Sequence, residues 1–325
     1  MLSDIALPVG LIFISIFIGI FLQKAENKII KFPVSKSELR KILQRIVLLF
    51  FTPISFFAAI WKLDFTNIEI ITLPIVGIFA IFFGMVLSFS AAYLLKMPRS
   101  EKGPFITCGS FANIGSIGGF ICYVFLGEEG YAMVPFYQFI LPGVYIALGF
   151  SIVRYYSHDK DSSYSMVKQF LKGLTDIFVL VAFAGIFAGL FLNVLHIKRP
   201  TYFQYITALS VPLGTILMLI SIGLELRLSK IKNYLKECTI ISIIKFILVP
   251  IATVLLAIRL GYGSISQGLP LKVVIVLASM PVAFTAVVPV SLYDLDLDLA
   301  NSCWMFTTTA LFFTIPILYY IIQLI

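Results

Sequence analysis

The sequence predicts an all-α polytopic membrane protein: ten transmembrane helices in two inverted five-helix repeats, with crossing broken helices 4 and 9. Three observations predict it. The 325 residues are 60% hydrophobic and only 12% charged, with a mean hydropathy of +1.03, which leaves too little polar surface for a soluble domain of this size. A template of about 20 apolar residues, the length that spans a bilayer, fits ten times. Two of the ten fits contain residues that helices in lipid avoid, and they lie about equally far into the two halves.

In chain order the spans lie near 4–22, 41–62, 70–95, 105–126, 130–154, 174–195, 204–226, 237–260, 272–292 and 299–324. No basic region precedes the first and no small-residue cleavage site follows it, so it is expected to be retained. The loops are short. Residues 1–155 form the first repeat, 156–173 a polar cytoplasmic linker and 174–325 the second repeat of a single transmembrane domain.

Lys and Arg set the orientation. Eighteen fall in the loops at 23–45, 96–104, 154–172 and 227–236, against five on the other side (Lys62, Lys198, Arg199, Arg259 and Lys272). Basic residues gather on the cytoplasmic side, so both termini are expected outside, in the plasma (inner) membrane. The net charge of +8 reports this orientation and not a nucleic-acid partner. The four cysteines, with no CxxC or Cys/His spacing, read as small core residues, and no metal or other cofactor is expected. His158 and His196 fall in loops, which argues against a proton relay. Glu225 and Asp176 sit at span ends, where rim electrostatics account for them, and Gln138 reads as interhelical glue. No paired carboxylates or Ser/His dyad share a span, so no enzyme is expected.

The halves repeat each other. Phe17-Ile-Gly-Ile-Phe-Leu-Gln23 in the first span aligns with Phe187-Ala-Gly-Leu-Phe-Leu-Asn193 in the sixth, 170 residues on. Five spans per half is an odd number, so the second copy enters the membrane inverted, an architecture common among secondary transporters.

Within this frame the fourth span carries Thr107–Phe120, with Gly109, Gly115, Gly118, Gly119 and Asn113 at membrane depth. Each glycine weakens a helix by about 1 kcal/mol relative to alanine, and hydrocarbon cannot solvate the asparagine amide. Irregular backbone is tolerated in lipid only where protein buries it or it lines a cavity. The ninth span carries Ala278–Pro289, with Ser279, Pro281, Thr285 and Pro289. Helix breaks are expected at Gly109, Gly118, Gly119 and Pro289, and a ligand at Asn113, Ser110, Gly115, Ser279, Pro281 and Thr285. Half-helix N-termini at such a crossing favour an anion, and the amide and hydroxyls add neutral donors suited to a carboxylate. The competing account has glycines permitting close helix packing and Asn113 bonding between helices.

Lys245 lies inside the eighth span, where a lysine near the bilayer centre costs about 2.5–3.5 kcal/mol. Two readings stand for it. It faces the bundle interior, as counter-charge to an anion or in place of a coupling cation, or it snorkels to the cytoplasmic interface.

Several segments resemble, in order, those of the auxin efflux carrier family, within the bile acid/sodium symporter-like superfamily: Phe-Thr-Pro53, Phe111-Ala-Asn-Ile-Gly…Gly118, Leu126-Gly-Glu-Glu129, Ser221-Ile-Gly-Leu-Glu-Leu226, Lys245…Pro250 and Ala278-Ser-Met-Pro281. The resemblance covers nearly the whole chain. It implies ten helices in a scaffold group and a transport group, elevator-like alternating access to an organic anion, and Asn113 as the substrate-binding asparagine. Relatives often carry proline where this chain has Ala112 and Phe120, and asparagine where it has Thr285. The expected partners are a small organic anion, the bilayer, coupling H+ or Na+, and a second copy in a homodimer. The alternatives are a sodium-coupled symporter of the bile acid type and a membrane sensor on a transporter scaffold.

Overall fold

A computed structural model of the chain describes residues 2–25, 35–63, 68–157, 165–225 and 231–325. Its α-helices are α1 (Leu2–Ala25), α2 (Lys36–Ile46), α3 (Thr52–Lys62), α4 (Leu73–Leu94), α5 (Arg99–Ser110), α6 (Gly119–Tyr137), α7 (Leu141–Tyr156) and α8 (Met166–Leu174). There follow α9 (Ile177–Val194), α10 (Phe203–Gly223), α11 (Leu235–Ile243), α12 (Val249–Arg259), α13 (Leu269–Ala278), α14 (Val287–Leu292) and α15 (Leu297–Leu324). Among the described residues, eight helical stretches are long and apolar enough to cross a membrane. Ten membrane-length helices are therefore not seen: α5, α7, α13 and α14 have 12, 16, 10 and 6 residues, and one candidate stretch, Ile114–Tyr137, runs from the fourth expected span into the fifth. Parts of the expected basic loops, including Lys28, Lys160 and Arg227, and the loop residue His158 lie outside the described residues.

Among the described residues three π-helical turns occur, and two of these have a visible cause. Val47–Phe51 precedes Pro53 and joins α2 to α3; Ile244–Leu248 precedes Pro250 and joins α11 to α12. Proline lacks an N–H and its ring crowds the carbonyl four residues back, here Leu49 and Phe246. The helix widens by one residue instead of kinking apart: Thr52 N–H donates to Val47 O and Val249 N–H to Ile244 O, each five residues back.

The chain divides into two compact units, each drawn from both halves of the sequence: 1–66, 115–135 and 177–226 in one, 67–114, 136–176 and 227–325 in the other. In the first unit α1 packs on α10 and α3 on α9. Glycine makes both contacts possible. A Cβ at Gly19 would strike Ile220 O and come within 2.7 Å of Gly223 Cα, and a Cβ at Gly189 would stand 2.6 Å from Phe57 O. Four residues further on, Gln23 Nε2 donates to Leu224 O at 2.9 Å, and Asn193 Nδ2 donates to Ile60, Trp61 and Leu63 O at 3.1, 3.0 and 2.7 Å. Gly19 and Gly189, like Gln23 and Asn193, are the residues paired by the 170-residue offset. Each amide donates to carbonyls at a helix C-terminus, where intrahelical donors run out, although Ile60 O also accepts from Leu63 N–H at 3.1 Å.

The same unit contains a sharp turn inside α6. Gly127 has φ 69° and ψ −165°, a conformation that glycine alone adopts readily, and it ends the run that began at Gly119. Beyond the turn, Glu128 receives a forked bond from Arg199, at 2.7 and 3.3 Å.

In the second unit α4 packs on α5 and α12 on α13, and α15 lies against α5, α11 and α14. Gly84 and Gly109 meet backbone to backbone, with the Ser88 side chain filling the space beside Gly109. All four cysteines are buried thiols; Cys238 and Cys303 bring their sulfurs to 3.9 Å across α11 and α15.

Candidate functional site

The helix of the fourth span stops at Ser110. Phe111 is extended (φ −96°, ψ 132°), and helical turns resume at Ile114 as a π-helical segment over Ile114–Gly118. The break is therefore Phe111–Asn113. Gly109 lies in the last turn of α5, Gly118 ends the π-helical segment and Gly119 opens α6.

In the ninth span α13 stops at Ala278, and a 3-10 turn over Phe284–Ala286 leads into α14. The irregular stretch between them, 279–283, holds Ser279 and Pro281. Pro289 falls beyond it, as the third residue of α14, where the N–H that proline lacks has no intrahelical acceptor.

The two breaks meet within the second unit. Ala112 and Val282 pair as an isolated antiparallel bridge: Asn113 N–H donates to Pro281 O at 2.9 Å, and Ala283 N–H donates to Phe111 O at 3.0 Å. Each broken helix thus supplies an acceptor and a donor that the other lacks. That satisfies part of the backbone which, left bare in an apolar interior, would cost several kcal/mol per group, on the order of 2–7. Three further residues hold the bridge. Val282 N–H donates to Thr307 Oγ1 of α15 at 3.2 Å, Tyr145 Oη of α7 to Ala112 O at 3.3 Å, and Thr107 Oγ1 to Ala286 O at 3.4 Å. The Tyr145 ring stands edge-on to Phe111 at 4.9 Å.

Of the residues picked out from the sequence, Asn113 is buried, with 7% of its surface exposed, and Ser279 and Pro281 are buried on the partner strand of the bridge. Ser110 is buried and donates to Ile106 O of its own helix at 2.7 Å. Thr285, in the 3-10 turn, and Gly115, in the π-helical segment, are exposed. Lys245 is 1% exposed and lies in the π-helical turn before Pro250. It makes no hydrogen bond or ion pair among the described residues, and the Cys108 thiol is its titratable neighbour.

Sequence reasoning missed Thr307, Tyr145 and Trp304. Trp304 lies one turn before Thr307 and Thr308, with its ring edge-on to Phe284 at 6.0 Å and its Nε1–H buried without an acceptor among the described residues. A run of threonines over Thr307–Thr309 in an apolar span was the available signal. Asp176 and Glu225 do lie at helix ends. Glu225 pairs with Arg40, while Arg227, expected beside it, lies outside the described residues.

Apolar spans, two of them opened and joined to each other through their main chains, define an integral membrane protein of the transport class. The family profile described as "Membrane transport protein" matches residues 4–320, and the chain belongs to that family, the auxin efflux carrier family that its segments resemble. It is 28% identical to an uncharacterized transporter of Methanocaldococcus jannaschii over 287 residues, 86% of this chain and 88% of the relative. It is 24% identical to an uncharacterized transporter of Methanothermobacter thermautotrophicus over 282 residues, 85% and 86% of the two chains.

Proposed function

We propose that this transporter is a secondary active carrier of a small organic anion, a carboxylate, working in efflux by elevator-like alternating access. The observation that carries the reading is the main-chain bridge between the two breaks, with Asn113 buried beside it. Interrupting two helices at one place forfeits hydrogen bonds, and a ligand that uses the freed groups supplies a reason for keeping the interruption. The Asn113 amide offers donors to a carboxylate, and the half-helix that resumes at Ile114 directs its positive end toward that part of the chain.

Lys245 supports an anion. A lysine enclosed by protein with no ionised partner among the described residues gains from a bound negative charge, and its neighbour Cys108 lies in the same interrupted span as Asn113. In the absence of an anion the same ammonium stands in for a coupling cation. An inverted repeat is supported by the matched roles of Gly19 with Gly189 and Gln23 with Asn193. A scaffold group and a transport group are supported by the two compact units.

The test is flux in proteoliposomes over a panel of carboxylates, with and without sodium, comparing the native chain with Asn113→Ala. Loss of about 2–3 kcal/mol of ligand binding corresponds to a 30- to 150-fold rise in KM. Native flux in a folded Asn113→Ala protein would remove Asn113 from the site. Tight carboxylate binding without flux would instead identify a sensor.

A further inference from the structure

The first unit contains a cavity of about 850 Å³ that has no part in the bridge. Its walls include Trp61, Lys62, His196, Lys198, Arg199 and Gln204. It lies where three candidate spans end or begin, after Lys62, after Val194 and before Phe203, the level at which a bilayer places its headgroups.

Hydrogen bonds tie the walls together. Asn193 occupies the carbonyls of Ile60, Trp61 and Leu63, Trp61 Nε1 donates to Ile197 O at 2.7 Å, and Arg199 Nη1 donates to Ala58 O at 2.8 Å. With these carbonyls spoken for, the C-terminal end of α3 offers few acceptors to a cation, and the cavity presents side-chain donors instead. Arg199 is committed to Glu128, and Lys62 stands 3.9 Å from Glu129. Lys198, His196, Thr201 and Gln204 make no side-chain hydrogen bond or ion pair among the described residues. The plain account of such cations is compensation of the negative ends of α3 and α9. It does not explain why they surround a cavity of ligand size, nor why the cavity shares its rim with exposed apolar groups. Val194, Leu195 and Ile197 are 64, 52 and 46% exposed, and Tyr202 and Tyr205 are 58 and 69% exposed. A cationic basin opening beside an apolar and aromatic rim matches an amphiphile with an anionic head.

We infer that this cavity binds the headgroup of an anionic phospholipid, with Lys198 and His196 on the phosphodiester and the acyl chains along α9 and α10. The full chain is purified in detergent and mixed with phosphatidylglycerol or with phosphatidylcholine of the same acyl chains, and lipid retention is read by native mass spectrometry. Phosphatidylglycerol is expected to be retained preferentially. Lys198→Gln should weaken that retention about fivefold, with a further loss in the Lys198→Gln, His196→Gln protein and no change in Lys24→Gln. Should the double variant misfold, the single variant and the fall of native retention between low and high salt carry the test. Equal retention of the two lipids, or full retention by Lys198→Gln, overturns the proposal. Displacement by millimolar glycerol phosphate, as strong as by the lipid, would overturn it in favour of a soluble phosphate ester.

Discussion

Asn113 donates its backbone N–H to the carbonyl of Pro281 at 2.9 Å, joining residues 168 positions apart, each in the break of its own span. The reciprocal bond, from Ala283 to Phe111, makes the pair a two-bond strand ladder inside a helical protein. The bridge separates two substitutions that look alike in sequence. Ala283 already has φ −72°, within proline's range, so the backbone change in Ala283→Pro is loss of the donor to Phe111, beside the ring carbons that its buried site must take in. It should cost about 1–3 kcal/mol of stability, because Phe111 O is then buried without its bond. Ala112→Pro follows an extended Phe111 and removes an N–H that has no acceptor among the described residues. It should be neutral or stabilise by up to about 1 kcal/mol. Equilibrium unfolding of the two variants in one detergent gives the comparison, and equal losses would mean that the bridge contributes nothing.

Gly19 and Gly189 allow two helix pairs of the first unit to touch through their backbones. Alanine at either position meets a carbonyl oxygen and not a side chain that could swing away, so each variant should lose about 1–3 kcal/mol. Gly10, on the same helix as Gly19, has open space where an alanine methyl would stand, with no atom within 4 Å, and Gly10→Ala should gain about 0.5–1 kcal/mol from helix propensity alone. Unfolding midpoints that fail to separate Gly10 from the other two would show that the close approach is not needed.

The forked pair of Arg199 and Glu128 is 9 and 13% exposed, so removing either partner strands a charge with little access to water. Arg199→Ala and Glu128→Ala should each cost about 3 kcal/mol, and the double variant distinctly less than the sum of the two. A double-mutant cycle read by thermal unfolding decides it, and strict additivity would show that the two residues act independently.

That the chain is built of apolar helices long enough to cross a membrane, eight of them among the described residues against the ten expected, and that two stretches are interrupted, was legible in the sequence because hydropathy, glycine, proline and a polar amide are local signals. Their finer placement was not. Glycine clusters marked the fourth span, yet the chain turns non-helical at Phe111–Asn113, between Gly109 and Gly118. Pro289 stood out in the ninth span, but proline is accommodated at the start of a helix, and the irregular backbone is the stretch before it. Tyr145 carried no visible signal, and the threonine run at Thr307–Thr309 did not single out a role, since a hydroxyl in an apolar helix can equally bond its own turn, as Ser110 does.

By itself, then, the sequence determined that the chain is a polytopic membrane protein, that two spans are interrupted, and that Gly19 and Gln23 recur as Gly189 and Asn193, because each of these follows from residue type and spacing along one segment. Only the tertiary structure decided that the two interruptions bond to each other, that Lys245 is enclosed by protein, and that Glu128 beyond the Gly127 turn meets Arg199. Those facts depend on which segments pack together, and a hydrogen bond or ion pair between residues far apart in the chain leaves no trace in the local pattern of either.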